Sequence, residues 1–434
     1  MKILLPLTYF FLFFFLIYKI DFFFIGGISR RFLSLIFLLK IIFGLILWAI
    51  YTYYYTDRTT SDIFKYFDDA KVLNEIIKTH PIYYFQLVFG LYMDPDYLQP
   101  YILKTQFWDN PLEYSIFKEN RIVIRFNAIV YLFSFGYYHV HTVVMNFVAL
   151  LGLTAIYKTF YPIMKTKKNE LIVVVFLIPS VLFWGSGVLK EGILLFALGF
   201  LIYYFHKIIF EKWTIKNTFW VIVSAFLLLL TKGYVVYAII PSLISLVVIR
   251  MTGIKWSGLK FLCIHIIIGT LAFAYFRTNS YIDLFETLRQ KQENFINVAN
   301  TTKAGSFIQT KILEPTAFSV VKNTPEALLN TLLRPYLLEA KSPMILLSAL
   351  ENFIFILLIL LSVFFFKKPT KEQLPLFYMS VFFVLILADL TGLITPILGA
   401  IVRYKVPFLP FLAIVFILLI DTEKIWKRIG EIRE

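Results

Sequence analysis

The chain has 434 residues, of which 59% are hydrophobic, 19% aromatic and only 16% charged, and its mean hydropathy is +0.77. That much apolar surface exceeds what a soluble core encloses, and the formal net charge of +15 does not signify nucleic-acid contact, because the cations fall between apolar runs. A single cysteine, Cys263, excludes an internal disulfide and any cysteine-based metal site, and its position inside an apolar run predicts a small core residue.

Lipid offers no partner for backbone amides, so a run of roughly 20 apolar residues crosses a membrane as a helix. Stretches such as Phe353 to Phe366 and Phe411 to Ile420 are apolar on every side, unlike the alternating strands of a transmembrane β-barrel. In chain order the runs fall near 3–20, 32–55, 137–158, 170–186, 191–206, 218–231, 233–250, 257–276, 344–366, 374–392 and 406–421. They predict an all-α, polytopic transmembrane helix bundle of about eleven spans, forming a single integral membrane domain over 1–434. The first run follows one lysine and lacks a small-residue cleavage site, so it reads as a retained helix.

The connections carrying Arg30 and Arg31, Lys165, Lys167 and Lys168, Lys207, Lys212 and Lys216, Arg250 and Lys255, Lys367, Lys368 and Lys371, and the tail with Lys424, Lys427 and Arg428 alternate onto one side, which the positive-inside rule makes cytoplasmic. Two long outer loops follow, 56–136 and 277–343. Loops of that length are usually functional or carry short helices of their own. Ser61 to Ile77 is an amphipathic candidate, and Ile122 to Phe135 suits a helix lying flat at the interface.

Ionisable residues in or beside a span cost about 2.5–3.5 kcal/mol near its centre, so each one is a candidate functional group. The segment from Pro179 to Gly192 turns on the outer side, with Gly185 and Gly187 permitting a tight turn and Lys190 and Glu191 opening the next helix. Lys232, Asp389, Arg403 and Lys405 belong to the same outer level. The plain structural alternatives are a hairpin with a surface ion pair and, for Lys405 above all, a snorkelling lysine. Arg121 and Arg125, four apart, share a helical face and suit two oxygens of a phosphate. Arg334 precedes Glu339 and then Glu351, about two turns into a span. Asp57, Asp62, Asp68 and Asp69 gather after the second span, where a carboxylate suits a general base and adjacent Asp68 and Asp69 equally suit helix N-terminal charge. His139 and His141 lack the spacing of a helical zinc pair, and His265 reads as a packed residue.

Four stretches resemble bacterial multi-spanning proteins of polysaccharide loci, of the C-type membrane glycosyltransferase or oligosaccharide repeat-unit polymerase kind. They are Ser61 to Phe67, Asn120 to Asn127, Pro179 to Glu191 with Phe183, Trp184, Gly185, Ser186, Gly187, Lys190 and Glu191, and Arg334 to Tyr336 with Glu339 and Glu351. The resemblance implies an outer-face active site and polyprenyl-phosphate-linked sugar donors. It implies a base among Asp62, Asp68 and Asp69, and phosphate contacts from Arg121, Arg125, Lys190, Lys232, Arg334 and Arg403, beside Trp184, Glu191, Glu339 and Glu351. In C-type transferases the carboxylate motif follows the first span; here the acidic cluster follows the second. The expected function is therefore a membrane glycosyltransferase or glycan polymerase of cell-surface polysaccharide synthesis in a bacterial inner membrane. Its partners would be a polyprenyl-linked sugar or oligosaccharide and membrane lipid, with no cofactor assigned, a divalent metal left open, and no nucleic acid. A transporter or flippase of a lipid-linked oligosaccharide would use the same cations without breaking a bond, and a structural scaffold would need none of them.

Overall fold

A computed structural model describes residues 2–91, 96–109, 118–278, 283–301, 305–425 and 428. Lys427 of the cationic tail lies outside the described residues. The helices are, in order, α1 (Leu4–Lys19), α2 (Arg30–Ala49), α3 (Asp62–Thr79), α4 (Pro81–Phe89), α5 (Gln99–Ile102), α6 (Glu119–Ser134), α7 (Tyr138–Phe160), α8 (Lys168–Phe176) and α9 (Pro179–Trp184). They continue with α10 (Lys190–His206), α11 (Ile215–Thr252), α12 (Ser257–Thr278), α13 (Leu284–Thr301), α14 (Ala317–Leu333), α15 (Pro343–Phe364), α16 (Leu374–Ile394), α17 (Leu398–Tyr404) and α18 (Leu409–Leu419). Among the described residues there is no strand, only isolated bridges such as that between Phe307 and Ile397.

Seven helices among the described residues are long and apolar enough to cross a membrane: α2 with its π-helical extension to Tyr54, α7, α10, α11, α12, α15 and α16. An eighth crossing arises if α17 and α18, bent by 71°, count as one. Several expected spans are thus shorter or merged. Residues 3–20 form the 16-residue α1, and 170–186 divide into the short α8 and α9. The spans at 218–231 and 233–250 run together as the 38-residue α11, interrupted at Lys232, whose φ of −153° and ψ of 86° leave the helical path. Apolar faces without protein partners say what surrounds these helices. Leu35 on α2, Leu271 on α12 and Val363 on α15 are 60%, 64% and 68% exposed. Patches so apolar on a protein of this size belong against lipid. Cys263 corrects the expectation of a core residue: it is exposed, on the outward face of α12, which buries little of its surface.

The chain divides into two compact units. The first comprises 1–161, 181–208 and 213–233. Its tightest joint is between α7 and α10: a methyl group added at Gly152 would meet the Leu195 carbonyl oxygen at 2.2 Å, and one at Gly199 would meet the Gly152 oxygen at 2.1 Å. Only glycine lets the two backbones approach so closely, the small-residue contact that lipid-embedded helices use in place of a hydrophobic drive. The described residues of the first long loop, 56–136, are built into helices. Helix α3 turns Ile63, Tyr66, Ala70, Leu73 and Ile76 inward against Tyr84 and Leu87 of α4 and Val123, Ile124 and Ala128 of α6.

The second unit comprises 162–180, 209–212 and 234–434. Its long loop, 277–343, also carries helices, α13 and α14, as loops of that length tend to do. Thr316 caps α14 by accepting from the Ser319 amide, and Ser342 caps α15 ahead of Pro343 in the same way. Helix α14 lies directly on α16, where a methyl at Gly392 would meet the Ala327 carbonyl oxygen at 2.1 Å. Glu286, Arg289 and Glu293 pair along half-buried α13, and hydrogen bonds from Arg289 and Gln290 pull the Glu286 carboxyl down to about 2.

Candidate functional site

In the first unit the charges of the long loop 56–136 converge on two helix starts. Glu119 opens α6 and Lys190 opens α10, and their side chains meet at 3.4 Å with both largely buried. The next residue, Glu191, is fully buried and receives the Lys232 ammonium at 3.3 Å, so the break in α11 delivers a cation to the same helix start. Arg121, in the first turn of α6, is also buried. Its Nε donates to the Trp108 carbonyl at 2.7 Å, and Asp109 lies 3.7 Å from its guanidinium. Lys118 reaches the same Asp109 at 3.1 Å.

Arg121 and Arg125 share a face as their spacing requires, and Trp108 is what they share. The two guanidinium groups lie 5.0 and 5.3 Å from its ring centroid, a desolvated cation–π arrangement. Arg125 also donates from Nε to the Leu87 carbonyl at 2.9 Å. Asn120 accepts from the buried Tyr66 hydroxyl at 2.9 Å, tying α6 to α3.

The three aspartates divide by role. Asp69 is buried and accepts three backbone amides, Gln106 at 2.8 Å, Phe107 at 2.7 Å and Trp108 at 3.1 Å, so it moulds the loop that carries Trp108. Burial pushes its carboxyl above the ordinary value, and the three amides oppose that rise. Asp68 is held by Arg58 in a two-point pair at 2.9 and 2.6 Å. Asp62 stands half-buried in the first turn of α3.

The Phe183 to Gly187 turn rests on a residue the sequence reading passed over. Lys40, fully buried in α2, donates to the Gly185 carbonyl at 2.9 Å and the Ser186 hydroxyl at 3.1 Å. Asn146 of α7 donates to the Ser186 carbonyl at 2.9 Å. A lone lysine within an apolar run was the available signal. Trp184 is half-buried beside Phe183, its ring edge-on at 5.1 Å. His141 is packed between the Asn127 side chain and the Ser134 hydroxyl, each at 2.8 Å.

Below this cluster the first unit holds a cavity of about 970 Å³. Ile193, Phe196, Phe200 and Tyr204, one stripe of α10, form one wall; Ile122, Arg125, Phe126 and Ile129, one stripe of α6, form another. Trp220, Leu227 and Leu230 of α11 complete it, with Lys216 and Asp21 at the end away from Arg125. The lower half is aromatic: Phe196 and Phe200 lie 4.3 Å apart, and Phe200 and Trp220 5.1 Å.

In the second unit the candidate residues fasten the chain to itself. Arg334 pairs with Glu339, donating from Nε at 2.8 Å, and this bonding draws the Glu339 carboxyl below its ordinary value against the opposing effect of partial burial. Lys405 is buried, not snorkelling: its ammonium donates to the Arg334 carbonyl at 2.7 Å and to Asn352 Oδ1 at 3.1 Å. Glu351 is buried and accepts the Ser180 amide at 2.7 Å. Asp389 on α16 accepts from the Thr324 hydroxyl at 3.3 Å, and Arg403 is half-buried on α17. His265 stacks on Phe382 at 4.4 Å, a packed histidine. Among the described residues no three His, Cys, Asp or Glu side chains are grouped to hold a metal ion.

No protein-family model matches the chain, and no curated protein and no solved structure matches it.

Proposed function

We propose that the protein is a membrane glycosyltransferase or glycan polymerase that takes polyprenyl-phosphate-linked sugars at the outer face of a bacterial inner membrane, in the synthesis of cell-surface polysaccharide. The observation that carries this reading is the meeting of the α6 and α10 starts, where Arg121, Arg125, Lys190 and Lys232 gather above an apolar cavity. Phosphate oxygens suit such cations, and a hydrocarbon carrier suits the cavity. In this reading α1, the α8–α9 pair, the two arms of α11 and the bent α17–α18 pair complete the count of about eleven crossings by the hydropathy rule.

The chemistry is displacement at an anomeric carbon. In this reading Asp62 accepts the proton of the acceptor hydroxyl, the role the resemblance gives to a carboxylate of this cluster. The cations stabilise the charge that develops on the departing phosphate. Glycan profiling of cells carrying Lys190→Ala or Asp62→Ala, with membrane protein levels measured alongside, tests it. Accumulation of a lipid-linked oligosaccharide one sugar short, or of unpolymerised repeat units reachable from outside, supports the reading; unchanged glycans at normal protein level overturn it.

A second reading, a flippase for the same lipid-linked oligosaccharide, is favoured by the reach of the cavity from Arg125 to Lys216 and Asp21. It predicts a complete intermediate held on the cytoplasmic leaflet.

A further inference from the structure

Asp389 is the one charged residue of the span α16 and stands five residues, about 7.5 Å along the axis, before its end at Ile394. Its side chain is half-buried, its Oδ1 is closed off with no hydrogen-bond partner, and no cation pairs with it among the described residues. The ionisable groups on the helices packed against α16 are engaged elsewhere or stand apart. On α13, Arg289 pairs with Glu286 and Glu293; on α14, Lys322 lies over Phe318 and Glu326 lines a small cavity. On α12, Lys260 donates to the Thr252 and Gly253 carbonyls, and His265 bonds to Ser242 and stacks on Phe382, two turns before Asp389. Lys291 of α13 and Arg403 and Tyr404 of α17 make no bond to Asp389, and α18 carries no charge.

Polar atoms without partners gather beside it. Gly392, one turn on along the same face, approaches α14 so closely that an added methyl would meet Thr331 Oγ1 at 2.6 Å. The hydroxyls of Thr331 and Thr395, both buried, and of Thr310 have no hydrogen-bond partner. A cavity of about 10 Å³, room for roughly one water, is lined here by Thr310, Asn323, Glu326, Asn330 and Gly392.

The contact with Thr324 tells the two forms of the acid apart. Thr324 Oγ1 lies 3.1 Å from the Val320 carbonyl and 3.3 Å from Asp389 Oδ2, and a hydroxyl has one hydrogen to give. With Asp389 ionised, one of those two oxygens goes without. With Asp389 protonated both are served: its Oδ2 donates to Thr324 Oγ1, which donates to the Val320 carbonyl. The neutral acid also avoids the cost of an unpaired charge within a span. We propose that Asp389 is a proton-binding site, held as the acid against Thr324 and exchanging its proton through the polar seam at Gly392. The site stands independently of the transferase reading.

The test is infrared spectroscopy of the full chain in phosphatidylcholine vesicles, with the aspartates isotopically labelled at their side-chain carboxyl carbon. At pH 7 the wild-type protein should show a protonated-carboxyl C=O band that moves with the aspartate label, which separates it from the buried Glu191 and Glu351. Asp389→Asn, nearly the same shape as the neutral acid, should remove that band at unchanged thermal midpoint. Thr324→Val should shift the band, and Thr324→Ser should restore its position. On transfer to heavy water the band should shift as the proton exchanges, and Thr310→Val with Thr331→Val should slow that exchange about tenfold. Absence of a label-sensitive band in the wild-type protein overturns the site, whatever the fate of the variants. So does a band that survives Asp389→Asn, or one that disappears when sodium replaces choline in the buffer, the mark of a metal cation in place of a proton. Exchange as fast in the double variant as in the wild type overturns the seam as its route.

Discussion

The two units handle buried charge differently. In the second, Arg334, Glu339, Glu351 and Lys405 bond to neighbouring chain segments, and a pocket lined by Leu329, Phe355 and Phe416 measures about 240 Å³. In the first, a comparable set of ion pairs stands over a cavity about four times that volume. A charged residue in a membrane protein is costly wherever it sits, so charge alone does not separate a staple from a site. What separates them is whether space for a ligand lies beside the charge.

The largest expected effect is on Glu191 and Lys232. Lys232→Met leaves a fully buried carboxylate without its ammonium, which should cost about 3–5 kcal/mol, and the paired change with Glu191→Gln should recover most of it. A double-mutant cycle on thermal stability in detergent checks this; additive losses would mean that the pair is not coupled.

In the second unit Lys405→Met removes two hydrogen bonds from buried acceptors and should cost about 2–4 kcal/mol. It should lower the amount of folded protein without a change in glycan pattern per molecule, the outcome that marks a staple. Lys190→Ala should do the opposite. Its partner Glu119 keeps some solvent contact, so stability should fall by about 1 kcal/mol or less, while the glycan phenotype should be near complete. Equal phenotypes for the two variants at matched protein level would erase the distinction between the units.

Asp69→Asn should lie between these in stability, about 1–3 kcal/mol, because an amide NH₂ would face backbone N–H donors at Gln106 or Phe107 and Trp108. Limited proteolysis near 99–109 reports it. The smallest effect belongs to α13. The Glu286 carboxyl is drawn below its ordinary value of 4.5 to about 2, so what its pairing contributes is fully present above 4.5 and is lost as pH falls through 2. Glu286→Gln should flatten that acid limb by removing the small contribution at neutral pH and leaving acid-pH stability unchanged, read by thermal melts across pH.

The period and length of the apolar runs were enough to specify an all-helical chain with helices long enough to cross a membrane and shorter helices in its two long loops. The amphipathic stretch Ser61 to Ile77 became α3, and Ile122 to Phe135 lies within α6 and its C-terminal cap. The four-residue spacing put Arg121 and Arg125 on one face, because helical geometry is local. Crossing number was less legible: hydropathy marks apolar length but not where the chain bends, so α11 and its break at Lys232 look like two spans and α8 with α9 like one. Partnerships were not legible at all. That Asp69 holds the Trp108 loop, that Lys40 props the Gly185 turn, and that Glu119 meets Lys190 depend on residues 37 to 146 positions apart in sequence. A residue's type fixes which bonds it can make, but which groups stand within 3 Å of it is set by helix packing, and only the folded chain brings them there.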